Sequence, residues 1–515
     1  MDFSLKFDNR LLGGGYILIC LLLSYWILES LGSPVKLRPF LAISLLLIFL
    51  IPTKKIYNYV VKPFFILVSL YSPFGLFYGA FDVQAFLSLY STTLAESLEF
   101  VSQIPVFYFL SPLVAWIFLI IAYHLSTVGD IKPWRNKVAI LFSVVTLAIC
   151  THPTSFFKDS YRSVRDGLEG MEELKSLIAT SSWDSPSHQI KNKDYVLIIG
   201  ESARKDYFNA YGYSVENTPF INTVPGIVID GLTSGGTYTI GSLRMMLTDG
   251  KKGNDISTWE PRWDKNIIGL ANQAGINTYW ISNQGYIGEF DTPVSSVGEQ
   301  AKHKFFLNKG GYSKSNKSDF ILLDEFKEVV SEDPQGVDRL IVLHTLGSHP
   351  DACDRIREMV KPYHSKDGKY DYLACYVSSI KYTDTFLKEV HGILTKNSGR
   401  DFSMIYISDH GMVHDDRGSK IYLNNSRVSL RHYDIPLILI DSSIKEHKFL
   451  RSSKSGLNFT QGLASWMNIE SADVEGYDLF DGKSDKNDYG LAKYLQQKAR
   501  DVADDPALDI GDFIE

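Results

Sequence analysis

Five apolar runs dominate the first 151 residues, over about 11–29, 39–52, 63–80, 104–125 and 136–151, with short polar stretches between them. A membrane-crossing helix needs about 20 predominantly apolar residues, so the shorter runs predict helices that extend past their edges or tilt. Beyond residue 194 the period changes. Short apolar runs recur at 195–199, 277–281, 340–343, 404–407 and 436–440, and helical patterns fall between them, as at 320–331 and 376–395. Buried strands alternating with helices predict an α/β sheet covered on both faces. Four parts follow: five transmembrane helices over 1–151, an interfacial helix and linker over 152–193, an α/β domain over 194–482, and a polar, partly ordered tail over 483–515.

Charge sharpens this division. Residues 1–150 carry 17 charged side chains and the remaining 365 carry 94, so the overall mean hydropathy of -0.05 averages two unlike parts and excludes a purely soluble protein. A net charge of -7 points away from nucleic acid. The first run has no charge between Arg10 and Glu29, and is too long, and too poor in small residues at its end, for a cleaved signal peptide. Lys6, Arg10, Lys54, Lys55, Lys62, Lys132, Arg135 and Lys137 fall on alternate loops, which sets the N-terminus inside and everything after residue 151 on the far side. Cys20 and Cys150 lie in apolar runs. Cys353 and Cys375 lie in the α/β part, as two free thiols or as a disulfide suited to an oxidising compartment.

Chemistry gathers where strands end, the usual place for sites in α/β sheets. After 195–199 comes Gly200-Glu201-Ser202-Ala203-Arg204, after 340–343 comes His344-Thr345-Leu346-Gly347-Ser348-His349, and after 404–407 comes Ser408-Asp409-His410-Gly411. Mixed oxygen and nitrogen donors of this kind suit Zn2+, and Mn2+ less well. The stretch Thr233-Ser234-Gly235-Gly236-Thr237-Tyr238-Thr239-Ile240-Gly241-Ser242 offers a helix cap or a metal-activated nucleophile; spacing alone does not choose among its hydroxyls. In the loop 81–103, Ser88, Thr92 and Glu96 fall at i, i+4 and i+8, either the solvated face of an interfacial helix or a row that touches a lipid headgroup.

Taken together, Gly200-Glu201-Ser202-Ala203-Arg204, Gly212-Tyr213, Asn217-Thr218-Pro219, the hydroxyl-rich stretch and the two histidine segments resemble the phosphoethanolamine transferases of Gram-negative inner membranes, a family that includes the mobile colistin-resistance enzymes. The resemblance implies five membrane helices followed by a sulfatase or alkaline-phosphatase-like periplasmic domain. It implies Thr239 as the nucleophile and Glu201, Thr239, Asp409 and His410 as zinc ligands. His349 then binds substrate phosphate, acts as a base or holds a second zinc. Ser88, Thr92 and Glu96 fall on the family's polar row near the donor headgroup, and Cys353 and Cys375 on one of its disulfides. The implied donor is phosphatidylethanolamine, from which Thr239 takes phosphoethanolamine before passing it on; a monomer is expected.

Several departures bear on the acceptor. Met412 follows Asp409-His410-Gly411 where an acidic residue is usual. A downstream metal-region histidine has Asn424 near its place, with His414 as a substitute. The turn Ser282-Asn283-Gln284 replaces a lysine-containing stretch of colistin-resistance members and resembles members that modify lipopolysaccharide core sugars, so Asn283 and Gln284 are expected to bind substrate. The acceptor expected is a core heptose, ahead of lipid A phosphate or a periplasmic glucan. A sulfatase would need a formylglycine signal, which is missing. A glycerol-phosphate transferase shares the nucleophile type, and a catalytically dead scaffold would lack ligands that are all present here.

Overall fold

A computed structural model describes residues 9–32, 35–79, 104–129, 181–251, 259–284, 293–307, 318–332, 336–357, 359–396, 399–425, 427–498 and 504–515, with isolated positions elsewhere. The chain divides into two compact units.

The first unit contains helices α1 (Asn9–Ser30), α2 (Leu37–Leu50), α3 (Lys62–Tyr78) and α4 (Val106–Val128). Among the described residues, three apolar helices are long enough to cross a membrane: Leu12–Ser30, Lys54–Tyr78 and Val106–Val128. The 14-residue α2 is shorter. Three such helices thus stand where five were expected; most of the fifth run, 136–151, lies outside the described residues, as do Ser88, Thr92 and Glu96. Lipid gives helices no hydrophobic reason to associate, so small and hydroxyl side chains do the work. Gly75 lies so close to α1 that a Cβ there would sit 1.9 Å from the Ser30 carbonyl oxygen. Ser72 Oγ lies 3.2 Å from Ser30 Oγ and 3.1 Å from Ser111 Oγ, linking three helices.

The second unit is built on an eight-stranded sheet. Its strands are β1 (Lys193–Gly200), β2 (Gly226–Thr233), β3 (Asn277–Ser282), β4 (His303–Phe306), β5 (Arg339–His344), β6 (Asp401–Ser408), β7 (Asp434–Asp441) and β8 (His447–Ser455). The spatial order is β8-β2-β7-β6-β1-β5-β3-β4, and β7 alone runs against the rest. The carboxyl ends of β1, β2, β3, β5 and β6 therefore share one edge. Side chains alternate between two cores. Val196 and Ile198 pack under α7 (Leu322–Ser331) and α8 (Asp371–Lys396). Tyr195, Leu197 and Ile199 pack under α5 (Thr239–Met246), α6 (Ile267–Gln273) and α9 (Phe459–Trp466). This double coverage is why the central strands read as continuous apolar runs.

The described residues after Gly482, a stretch read from its polarity as a tail, are packed onto this unit. Leu491 and Ile510 are buried, Asp505 pairs with Arg204, and Ile514 bridges to Ser365. Its few apolar residues are enough to anchor it because its carboxylates meet buried partners. The end of the linker is also seated, with Trp183 buried and Ser187–His188 paired with Ile469–Glu470. Cys353 and Cys375 form a disulfide that ties the loop after β5 to α8.

Candidate active site

Five loops converge on the common edge of the sheet. Glu201 leaves β1 directly, and Asp409 and His410 leave β6; all three are essentially inaccessible to solvent. Their ligand atoms lie within 4.8 Å of one another. His410 Nε2 is 3.4 Å from Glu201 Oε1 and 3.4 Å from Asp409 Oδ2. Two donors held at about 2.0–2.2 Å by a tetrahedral zinc stand roughly 3.3–3.5 Å apart, which these separations match. His410 Nδ1 faces the Gly411 carbonyl at 2.7 Å. A carbonyl only accepts, so Nδ1 carries a proton and Nε2 is the nitrogen that faces the carboxylates, the usual way a ligand histidine is oriented. Asp409 Oδ1 accepts from the Ser202 and His410 N–H groups at 2.9 and 2.7 Å, whereas its buried Oδ2 has no hydrogen-bond partner. An orphaned carboxylate oxygen facing a second carboxylate and an imidazole is a donor set that fits a divalent cation.

The electrostatics agree. Burial raises the Asp409 carboxyl well above the usual range, and the neighbouring Glu201 carboxylate raises it further. Burial would lower His410, but Asp409 and Glu201 raise it to about 9. Burial also opposes the charged form of Glu201, yet the His410 contact holds its carboxyl well below the usual range. The raised Asp409 and His410 both reflect the negative charge gathered on this edge, and the lowered Glu201 its contact with His410.

Thr239 opens α5, and its Oγ1 donates to Glu201 Oε2 at 3.0 Å. The neighbouring hydroxyls are engaged elsewhere: Ser234 Oγ donates to the Gly236 carbonyl at 2.9 Å and Ser242 Oγ to the Asp409 carbonyl at 2.6 Å. Thr237 is buried. Of the hydroxyls that spacing left open, Thr239 is therefore the one seen on the carboxylate cluster. Gly236 lets the loop press on α5, since a Cβ there would lie 2.8 Å from the Ser242 nitrogen.

Gln284 Nε2 donates to Glu201 Oε2 at 3.0 Å and to the Thr345 carbonyl at 2.8 Å, which places it beside Thr239. Asn283 is turned away from the cluster, and its Nδ2 donates to Asp319 Oδ1 at 2.8 Å. His349 lies on the loop after β5, where the Ser348 N–H donates to the Glu201 carbonyl at 2.9 Å. Its Nδ1 faces the Pro350 carbonyl at 2.6 Å, which by the same tautomer argument leaves Nε2 as the acceptor. His414 belongs to a separate cluster, with Asp505 Oδ1 at 2.8 Å, Arg204 Nη1 at 3.2 Å and Tyr207 Oη at 2.5 Å. Asn424 donates to Asp415. Neither residue stands in for a missing ligand.

Sequence reasoning missed Ser202, whose Oγ donates to Glu201 Oε1 at 2.7 Å from a left-handed backbone (φ 55°). It also missed Ser242 and Asp319. The partner of Ser202 is its neighbour but depends on the left-handed turn, while those of Ser242 and Asp319 lie tens to hundreds of residues away.

A sheet of this topology, with a hydroxyl at a helix start and buried carboxylate and histidine donors at the strand ends, defines a sulfatase-type transferase or hydrolase domain, and residues 193–469 match the Sulfatase family model. A Haemophilus influenzae protein provisionally named as a phosphoethanolamine transferase is 40% identical over 82% of this chain and 88% of its own length. Phosphoethanolamine transferase OpgE of Escherichia coli is 30% identical over 79% and 80%. The chain belongs to the phosphoethanolamine transferase family and is an enzyme of phosphoethanolamine transfer. The integral membrane lipooligosaccharide phosphoethanolamine transferase A of Neisseria meningitidis shares the fold (TM-score 0.58, 16% identity, 90% of this chain and 96% of that one).

Proposed function

We propose that the chain takes phosphoethanolamine from phosphatidylethanolamine onto Thr239 and passes it to a glycan of the cell envelope, a lipopolysaccharide core heptose being favoured by the neutral Ser282-Asn283-Gln284 turn. The observation that carries this reading is the Thr239 hydroxyl hydrogen-bonded to Glu201 beside the buried Asp409–His410 pair. Zinc held by Glu201, Asp409, His410 and the Thr239 oxygen would lower the hydroxyl pKa and offset charge on the phosphoryl oxygens; the donors fit one such ion.

Thr239 Oγ1 attacks phosphorus and gives its proton to Glu201, while the bond to the diacylglycerol oxygen breaks and that oxygen leaves with the same proton, passed on from Glu201. Gln284, hydrogen-bonded to the same Glu201 oxygen, is placed to donate to a phosphoryl oxygen. An acceptor hydroxyl, giving its proton to His349 Nε2, then displaces Thr239 from phosphorus. Five membrane helices, the fifth over 136–151, keep the donor in reach of a periplasmic catalytic domain, with Ser88, Thr92 and Glu96 near its headgroup. The acting unit is a monomer.

The test is intact mass after incubation with phosphatidylethanolamine, beside Thr239→Ala. The reading expects one added phosphoethanolamine, absent in the variant, and its discharge by lipopolysaccharide core saccharide. Discharge only by lipid A or by a periplasmic glucan would move the acceptor and keep the chemistry. No adduct on the zinc-loaded wild type would refute the donor.

A further inference from the structure

Asp319, on the turn before α7, belongs to none of the motifs above, yet both of its oxygens are committed to the loops around the site. Oδ1 accepts from Asn283 Nδ2 and from the Leu346 N–H, each at 2.8 Å, and Oδ2 accepts from the Gly347 N–H at 2.9 Å. A carboxylate that merely caps a turn bonds its own neighbours. This one joins three segments far apart in sequence, and the two it grips carry Gln284 and His349.

Both segments lean on the nucleophile's partner. Gln284 Nε2 shares Glu201 Oε2 with Thr239. At Gly347 (φ 49°) the chain runs so close that a Cβ would stand 2.8 Å from the Glu201 nitrogen. Behind the loop, Asp319, Thr345, Ser379 and Thr383 line a cavity of about 30 Å3. Phe320, Tyr382 and Phe386 line it too, so burial raises the Asp319 carboxyl, and the hydrogen bonds from Asn283, Leu346 and Gly347 oppose that rise.

We propose that Asp319 is a positioning residue for phosphoryl transfer, holding the Asn283–Gln284 turn and the Leu346–His349 loop in one register over Thr239. The proposal rests on Thr239 being the nucleophile. Residues that orient groups at a site, without touching the reacting atoms, cost about 10–100-fold when changed.

The experiment compares wild type, Asp319→Asn and the pair Asn283→Asp/Asp319→Asn as zinc-loaded full-length protein. Rapid mixing with phosphatidylethanolamine gives a burst of phosphothreonine whose amplitude counts competent sites and whose rate reports positioning; discharge by acceptor is timed separately. The expected result for Asp319→Asn is an amplitude and zinc content near wild type with one or both rate constants down about 10–100-fold. The pair, which restores the 283–319 bond with donor and acceptor exchanged, should recover at least about twofold of that loss. A wild-type rate constant in Asp319→Asn, or a loss confined to amplitude and zinc content with no recovery in the pair, would overturn the proposal. If wild type itself gives no burst, the nucleophile reading fails instead, and the wild-type control shows it.

Discussion

Asp505→Ala tests whether the C-terminal stretch holds the catalytic loops together. Asp505 Oδ2 accepts from Arg204 Nη1 at 2.8 Å and from the His414 N–H at 3.0 Å, and Oδ1 pairs with His414 Nδ1 at 2.8 Å. Arg204 is fully buried, three residues after Glu201, and His414 lies four after His410. One side chain near the C-terminus thus fastens the loop of Glu201 to that of Asp409 and His410. Burial would raise the Asp505 carboxyl, but the His414 bond and the Arg204 charge hold it down at about 2, from an ordinary 3.8. That fall corresponds to about 2.5 kcal/mol, reduced to about 1–2 kcal/mol because solvent reaches Asp505. Alanine also leaves the His414 N–H without its acceptor and Arg204 with Asp206 as its remaining carboxylate, at about 1–2 kcal/mol more. The total of about 2–4 kcal/mol predicts a Tm roughly 4–8 °C lower for a domain of this size, read by tryptophan fluorescence at one scan rate in detergent. A depressed carboxyl contributes stability that is present above its unfolded value near 3.8 and disappears as pH falls toward 2. Wild type should therefore lose its advantage over Asp505→Asn between about pH 4.5 and 2. A variant within about 1 °C of wild type at neutral pH, with the same acid profile, would refute this account of the clamp.

Three further outcomes are expected. Chelation should abolish phosphothreonine formation and lower Tm, and zinc at about 1,000 times its Kd should restore about 4 kcal/mol; transfer that survives with no metal bound by mass spectrometry would sink the ligand assignment. Gly347→Ala must both adopt φ 49° and displace the Glu201 backbone, so transfer should fall more than tenfold, at a cost of at least about 1 kcal/mol, and a fully active variant would show the loop to be loose. Removing the Cys353–Cys375 bond, which closes a separation of 22 residues, should cost about 3 kcal/mol, visible as a reductant-sensitive Tm in wild type that the double alanine variant lacks.

The strands that could be read in the sequence are those buried on both faces: β1, β5, β6 and β7 hold apolar runs, and β3 holds Tyr279-Trp280-Ile281 after two polar residues. The edge strand β8 reads as His-Lys-Phe-Leu-Arg-Ser-Ser-Lys-Ser because an edge is guarded by charge, and β2 is interrupted by Asp230, which pairs with Lys205. Those features hide both from a hydrophobic pattern. Glu201, Asp409 and His410 were legible because each directly follows a strand. Thr239 came from the resemblance, since only the fold shows that Ser234 and Ser242 are occupied elsewhere. Asn283 and Gln284 were indistinguishable as a dipeptide; backbone direction after β3 sends one to Asp319 and the other to Glu201. Asp505 could not be seen at all, being about 300 residues from Arg204 and set in a segment whose composition looks like a solvated tail.

The charge around Thr239 also bears on what the enzyme can accept. Among the described residues, no lysine or arginine hydrogen-bonds to Glu201, Thr239, Asp409 or His410; the groups that do are hydroxyls, backbone N–H groups and the neutral Gln284 amide. A cation at the triad is largely offset by the two carboxylates that hold it. A phosphoryl group on the half-buried Thr239, as proposed above, would add negative charge beside those carboxylates, where like charges repel. An incoming phosphate monoester would bring more negative charge to these carboxylates, whereas a sugar hydroxyl would bring none.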